Sequence, residues 1–486
     1  MNLKHKIRKY HLIYLVIHLS VFAYLYSQFQ QYRASSLLGN YLFHKEGETG
    51  SYFEPIENLV VNGEYAWVTS IDRFGTEAYK PSTRRPPGFV PIYYPLRLIF
   101  SQKTTRDLLV IIQLTVYLIG IFALAEAGKI LFRDSRIYHL IHLFSLICWY
   151  EKPFVFLGIA DSLCTSLIML GTYSLARYLV HDSRAHLIGF GIFSVWGIML
   201  RPAAVALPLA FGLYLLFFER KKVLAYLKLA VPIIAIPVVV WGAYVYTITG
   251  YTALPEDDVR KSMPGVYPPA RVAIYQVLKA NGEPTQYWIL GSASSYLIGG
   301  NDNDAFIEPL CFNEYDKDFF RTIKETFALS ITHREDTALV LECDSKLTVM
   351  CNNYVEDYKS EFPLRYFVLN KFKALYKFLH IKTYTFLPLA EFSKLNVFQK
   401  LIRLQQVAIV YVLYLLSLIT LVIRGFELKW TLWIYIGVYL GIHIALLTIE
   451  PRYLLPIFPA MYVLASLSAL YLVNRLLERT RIHLGA

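Results

Sequence analysis

Apolar positions in this chain run in long unbroken blocks rather than alternating with polar ones. A helix that crosses a bilayer needs about 20 mostly apolar residues. Blocks that approach this length predict spanning helices at roughly 10–29, 107–131, 137–152, 154–179, 187–200, 203–218, 224–248, 401–423, 430–449 and 453–474. The expected architecture is therefore an all-α multi-pass membrane protein of roughly 10–12 helices. Phe89–Phe100 is apolar but too short to cross, and it reads as a re-entrant or interfacial segment. Two longer polar stretches interrupt the blocks, about 30–106 and 249–400. The second is rich in Pro and Gly turn signals, such as Met263-Pro264-Gly265 and Pro268-Pro269, and reads as a mixed α/β insertion. Within it, Leu364–His380 mixes Tyr366, Phe367, Phe372, Tyr376 and Phe378 with Lys371, Lys373 and Lys377. That mix suits either a helix lying on a membrane surface or a solvated helix of the insertion.

Composition agrees with lipid as the solvent. The chain of 486 residues is 56% hydrophobic and only 17% charged, against about 25% charged in soluble domains. Mean hydropathy is +0.40. The 38 tyrosines and 31 phenylalanines suit the headgroup boundary, where an aromatic ring can be buried while a hydroxyl stays wet. A formal charge of +12 would raise nucleic acid as a partner for a soluble protein, but the hydropathy argues against it.

The basic residues orient the chain instead. Lys4, Lys6, Arg8 and Lys9 precede the first span and place the N-terminus in the cytoplasm. Alternation then puts Arg133/Arg136, Arg177/Arg184, Arg220-Lys221-Lys222, Arg424/Lys429 and Arg475/Arg479/Arg481 on the same side, so both termini are expected inside. The first apolar run is long enough to span and reads as an uncleaved helix. The organisation expected is a first helix (1–29), an extracytoplasmic loop with interfacial helices (30–106), a helical bundle (107–248), an extracytoplasmic insertion (249–400) and C-terminal helices with a cytoplasmic tail (401–486).

In this topology Glu48, Arg84, Arg85, Asp161, Arg201, Glu450 and Arg452 all fall on the outer side. Ionisable residues at membrane depth are costly and point to a site. Each alone has a bland explanation, such as a helix end or a surface ion pair; their gathering on one face is the informative point. Arginines hold phosphate through paired, charge-assisted hydrogen bonds and stabilise charge that builds on a departing phosphate. A carboxylate can take the proton of an attacking hydroxyl. Transfer of a sugar from a lipid phosphate fits such a set, through an oxocarbenium-like state.

Four sequence strings carry a family resemblance. Glu48-Thr-Gly-Ser-Tyr52-Phe-Glu-Pro-Ile-Glu-Asn58-Leu59-Val-Val-Asn-Gly63-Glu-Tyr65 resembles the first outer loop of the GT-C glycosyltransferases. These include the protein mannosyltransferases that use dolichyl-phosphate mannose and the bacterial aminoarabinose transferase of lipid A. Arg85-Pro86-Pro87-Gly88-Phe89 resembles their basic-Pro-Pro segment, and Asp161-Ser162-Leu163 their acidic-x-Leu element. Glu450-Pro451-Arg452-Tyr453-Leu454-Leu455-Pro456 resembles their Glu-x-Arg-Tyr-Leu-Leu-Pro string. The resemblance implies a GT-C fold, a polyprenyl-phosphate sugar donor and a glycolipid, glycan or protein acceptor. It implies Glu48 and Asp161 as catalytic acids and Arg84, Arg85 and Arg452 beside the donor phosphate. Tyr52, Asn58, Arg201, Glu450 and Tyr453 would bind substrate or support the site. The chain departs from the pattern in having Glu48 where Asp is usual and Ser51 where a basic residue often stands, with Arg84 a candidate substitute. It also carries its large insertion between spans rather than after the last.

No paired metal-ligand spacing occurs among the histidines, so no obligatory metal is expected, although some relatives bind a divalent ion. His443, on an apolar span, reads as a packing residue. Cys311, Cys343 and Cys351 lie in the outer insertion, and a Cys343–Cys351 bridge and free thiols both remain open. Two other functions compete with the enzyme. A transporter or flippase of a lipid-linked sugar would place charges near the bilayer midplane and show symmetry between halves, and neither is visible. A non-catalytic scaffold would use the polar cluster structurally.

Overall fold

A computed structural model of the protein describes residues 3–35, 48–71, 77–82, 85–249, 269–283, 293–298, 301–333, 336–380, 393, 395–446 and 451–484. In chain order the elements are α1 (Leu3–Ser35), α2 (Glu48–Asn62), β1 (Ala66–Ile71), β2 (Glu77–Pro81), α3 (Val90–Ile99), α4 (Gln102–Phe132), α5 (Ser135–Ile147), α6 (Ala160–His181), α7 (Arg184–Leu200), α8 (Ala206–Phe218), α9 (Arg220–Thr249), α10 (Pro269–Ala280), α11 (Ala293–Leu297), α12 (Lys317–Thr332), α13 (Thr337–Glu361), α14 (Asn370–Leu379), α15 (Val397–Ile419), α16 (Lys429–Leu446) and α17 (Phe458–Leu484).

Every one of the apolar blocks read from the sequence contains a helix among its described residues. Among the described residues, six helices are long and apolar enough to cross a membrane unaided: α1, α4, α6, α9, α15 and α17. The apolar helices α5, α7 and α8 are shorter, at 13, 17 and 13 residues. At about 1.5 Å per residue they cover about 20–26 Å, and 3₁₀ turns at Lys152–Phe156 and Pro202–Val205 extend the path next to α5 and α8. The protein is thus an all-α membrane protein.

The connections have legible local causes. Arg133 and Asp182 adopt left-handed backbone angles (φ 56° and 49°) and end α4 and α6 within a residue. Asp134 then caps α5 through the Arg136 amide at 2.8 Å. Asn396 and Gln399 form a reciprocal capping box that starts α15.

One large apolar core joins the membrane helices, and α6 lies at its centre, buried on nearly all sides from Ala160 to Leu179. Helix α1 joins this core through Phe22, Leu25 and Phe29 and, nearer its N-terminal end, through a polar seam. The Tyr14 hydroxyl pairs with His139 Nδ1 at 2.9 Å, and His18 Nε2 with His142 Nδ1 at 3.1 Å. The Tyr14 ring also stacks on His142, with centroids 4.3 Å apart.

A second, separate core gathers α10 to α13 of the insertion around Ile274, Leu278, Phe320, Ile323, Leu347 and Tyr354. Here the sequence reading needs correction. The described residues of the insertion are helical, and apart from an isolated bridge between Phe312 and Tyr315 they hold no strand. Pro and Gly mark the turns as expected, but the segments between them are amphipathic helices such as α12, whose Phe320, Ile323 and Phe327 share one buried face. The antiparallel pair β1–β2 lies in the first loop instead. Phe89–Phe100 forms the ten-residue α3, about 15 Å long and too short to cross.

A Cys343–Cys351 bridge is excluded by geometry. Both residues lie on α13, eight positions apart and therefore about 12 Å along its axis, and a disulfide needs Cα atoms within about 7 Å. All five cysteines are free thiols.

Candidate functional site

Asp161 sits in the first turn of α6 and is fully buried. Its Oδ1 lies 2.6 Å from Arg201 Nη2 as an ion pair, and neither of its oxygens makes a hydrogen bond of standard geometry among the described residues. Arg201 is placed by the end of α7: it is the C-cap residue, in extended conformation, and Pro202 follows to start the 3₁₀ turn. Burial works against the Arg201 charge, and the adjacent Asp161 carboxylate overrides it, so the guanidinium pKa lies above the ordinary arginine value.

The same guanidinium lies 4.3 Å from the centroid of the Tyr453 ring. Arg452 lies 5.3 Å from that centroid. Both residues come from the 3₁₀ turn Pro451–Ile457 that leads into α17. The ring is held in turn by its surroundings: Tyr439 donates from its hydroxyl to the Tyr453 carbonyl at 2.8 Å, and His443 stacks on the Tyr453 ring at 5.4 Å. His443 is buried in aromatic packing with Tyr439, Tyr453 and Phe378.

The third wall comes from the first loop. Arg85 lies 4.9 Å from the centroid of the buried Tyr52 ring on α2. The Arg-Pro-Pro-Gly string is pinned against the end of α7. Trp196 Nε1 donates to the Gly88 carbonyl at 2.9 Å. A Cβ on Gly88 would stand 2.5 Å from the Met199 carbonyl oxygen, so only glycine permits this approach. Phe89 then packs edge-on against Tyr52 at 5.5 Å.

Of the residues singled out from the sequence, the structure brings together Tyr52, Arg85, Asp161, Arg201, Arg452 and Tyr453. Asn58 serves the scaffold: its side-chain amide donates to the Ala66 carbonyl at 2.7 Å and ties α2 to β1. Glu48 opens α2, but its side chain, like the whole of Arg84 and Glu450, lies outside the described residues. Among the described residues no group of three or more His, Cys, Asp or Glu side chains could hold a metal ion.

Sequence reading missed two charged clusters. Glu57 on α2 accepts from the Tyr93 hydroxyl at 2.5 Å and from Arg97 Nε at 2.9 Å, fastening α2 to α3. Glu151 and Lys152, not singled out from the sequence, are both buried within the bundle. Glu151 accepts from the hydroxyls of Tyr117 and Tyr462, the latter at 3.1 Å, and Lys152 donates to the carbonyls of Ser145 and Cys148, the latter at 2.8 Å. The legible signal was the cost of an adjacent acid and base inside an apolar run.

No protein-family profile and no curated protein matches this sequence. Two solved structures resemble the chain in shape. One is the oligosaccharyltransferase of Archaeoglobus fulgidus, tethered to an acceptor peptide containing the NVT sequon, with a TM-score of 0.41 and 13% identity over 94% of this chain and 50% of the other. This chain thus spans about half the length of that protein. The other is ArnT from Cupriavidus metallidurans bound to undecaprenyl phosphate, with a TM-score of 0.38 and 13% identity over 95% of this chain and 78% of the other.

Proposed function

We propose that this chain is a membrane glycosyltransferase that moves a sugar from a polyprenyl-phosphate donor to a hydroxyl acceptor on the extracytoplasmic face. The observation that supports it best is the buried Asp161–Arg201 ion pair with Arg201 and Arg452 both set against the Tyr453 ring, from separated parts of the chain. A phosphate monoester or diester is the ligand such a set suits, because several guanidiniums can share its oxygens. The outer placement follows from the basic connections on the opposite side.

In the reaction proposed, the acceptor oxygen attacks the anomeric carbon and the bond from that carbon to the phosphate oxygen breaks. The electron pair leaves with the polyprenyl phosphate, and Arg85 and Arg452 stabilise the charge gathering there. The hydroxyl proton passes to Glu48. Asp161 keeps Arg201 in place through their ion pair and supplies negative charge as positive charge develops on the sugar ring. The structure of the donor sugar and the acceptor class, whether glycolipid, glycan or protein, are left to the assay.

The test is to reconstitute the purified protein in nanodiscs and supply a panel of radiolabelled polyprenyl-phosphate sugars with candidate acceptors. One donor should be consumed with release of polyprenyl phosphate. Glu48→Gln should lower turnover about 10²–10⁴-fold, the range for loss of a general base, while donor binding persists. If the intact lipid-linked sugar crosses the bilayer and no glycosidic bond is broken, the enzyme reading fails in favour of a flippase.

A further inference from the structure

Helix α14 is apolar on two opposite sides. Ala374 and Phe378 are buried in the bundle core, with the Phe378 ring 5.3 Å from His443 of α16. Phe372 and Tyr376 lie two positions earlier and so about 200° round the helix. They are 65% and 68% exposed, and Leu364 and Phe367 in the preceding turns are 64% exposed each. Four large apolar side chains left open along one short stretch mark an interaction surface.

The neighbours of α14 indicate what covers it. At its C-terminal end His380 Nδ1 pairs with the Tyr411 hydroxyl at 3.2 Å. Tyr411 lies well inside α15, which is one of the membrane-crossing helices. Through His380, α14 is therefore fastened to a membrane-crossing helix, α15, and through Phe378 to α16. Its outward stripe continues into exposed Val397, Phe398 and Leu401 on the first turns of α15. Charge points the same way: residues 364–380 contain four Lys or Arg and no Asp or Glu. Two of these, Lys373 and Lys377, bind Glu283 at 2.7 and 2.9 Å on the side facing the insertion.

We infer that α14 lies in the headgroup layer of the bilayer, with Phe372 and Tyr376 in lipid and Arg365 and Lys371, the basic residues not paired with Glu283, among anionic phosphates. This goes beyond the proposed reaction and does not depend on it. The helix occupies the same end of the bundle as the Asp161–Arg201 pair, because His443 touches both Phe378 and Tyr453. It divides its apolar surface between protein and lipid, and its buried half reaches the ring on which Arg201 rests.

The experiment places an environment-sensitive fluorophore on Phe372→Cys, in the full chain with Cys311→Ser, reconstituted in vesicles of phosphatidylcholine and phosphatidylglycerol. A second variant, Tyr376→Cys, guards against a fold defect at either position. A label at Glu342→Cys, on the exposed side of α13, serves as the water control. Labels at 372 and 376 should be quenched by lipids carrying a nitroxide just below the headgroup and shielded from aqueous iodide; the label at 342 should show the reverse. Iodide quenching at 372 and 376 equal to that at 342 would overturn the inference. So would shielding from both quenchers, which would mean that protein, such as a second copy of the chain, covers the stripe. Sugar transfer is not read in any arm, so failure here leaves the proposed reaction standing, and the converse.

Discussion

Asp161 and Arg201 form a buried ion pair whose worth can be measured. Oδ1 holds Arg201 at 2.6 Å in a setting from which water is excluded. Removing one partner of such a pair leaves an uncompensated buried charge, which costs about 3–5 kcal/mol. Asp161→Ala should therefore lower the thermal unfolding midpoint in detergent markedly, and Asp161→Ala with Arg201→Met should recover much of the loss while transfer stays absent. Equal midpoints for the single and double variants would show that the pair is not the cause. At this scale the sequence was informative for charges and poor for their partners. Arg201, Asp161 and Arg452 stood out because charge is costly next to apolar blocks. That Tyr453 would lie beneath Arg201, and that Glu151 would meet Tyr462, depended on residues hundreds of positions apart. No local pattern encodes such meetings.

Among the elements, the loop from Arg85 to Phe89 matters most to the site. Gly88 lets it lie flat on the end of α7, one residue from the Arg201 cap, and the Trp196 indole locks it there. Gly88→Ala would push the loop off the Met199 carbonyl. Overpacking of this kind costs about 1–3 kcal/mol, and since Arg85 rides on the same loop, donor affinity should fall along with stability. Thermal unfolding and a donor-binding titration on the same preparation check both; an unchanged affinity would separate the loop from the site. Helix α13 supplies a different check. Because Cys343 and Cys351 stand two turns apart on it, dithiothreitol should leave the unfolding midpoint unchanged and both thiols should react with maleimide after denaturation without reductant. The membrane helices were legible as elements because their apolar blocks are longer than any soluble helix requires. The insertion was less so. Its turns were visible, but the 3.6-residue period of α12 was obscured by the density of turn signals around it.

For the molecule as a whole, hydropathy and charge together indicated a helical membrane protein with its polar cluster at one end. The separation into two apolar cores was not legible, because it depends on which helices meet rather than on how apolar each is. Contact order within the bundle is high for one element in particular. Helix α1 is held by Tyr14 and His18, and their partners His139 and His142 lie more than a hundred residues later. Water is not present to satisfy those groups in the apolar layer, and lipid tails offer no driving force between helices. During synthesis the first helix therefore enters the membrane with a row of imidazole and phenol groups that have nowhere to bind. Those groups find their partners only once α5 is in place, so the final seating of α1 depends on a helix that lies more than a hundred residues later in the chain.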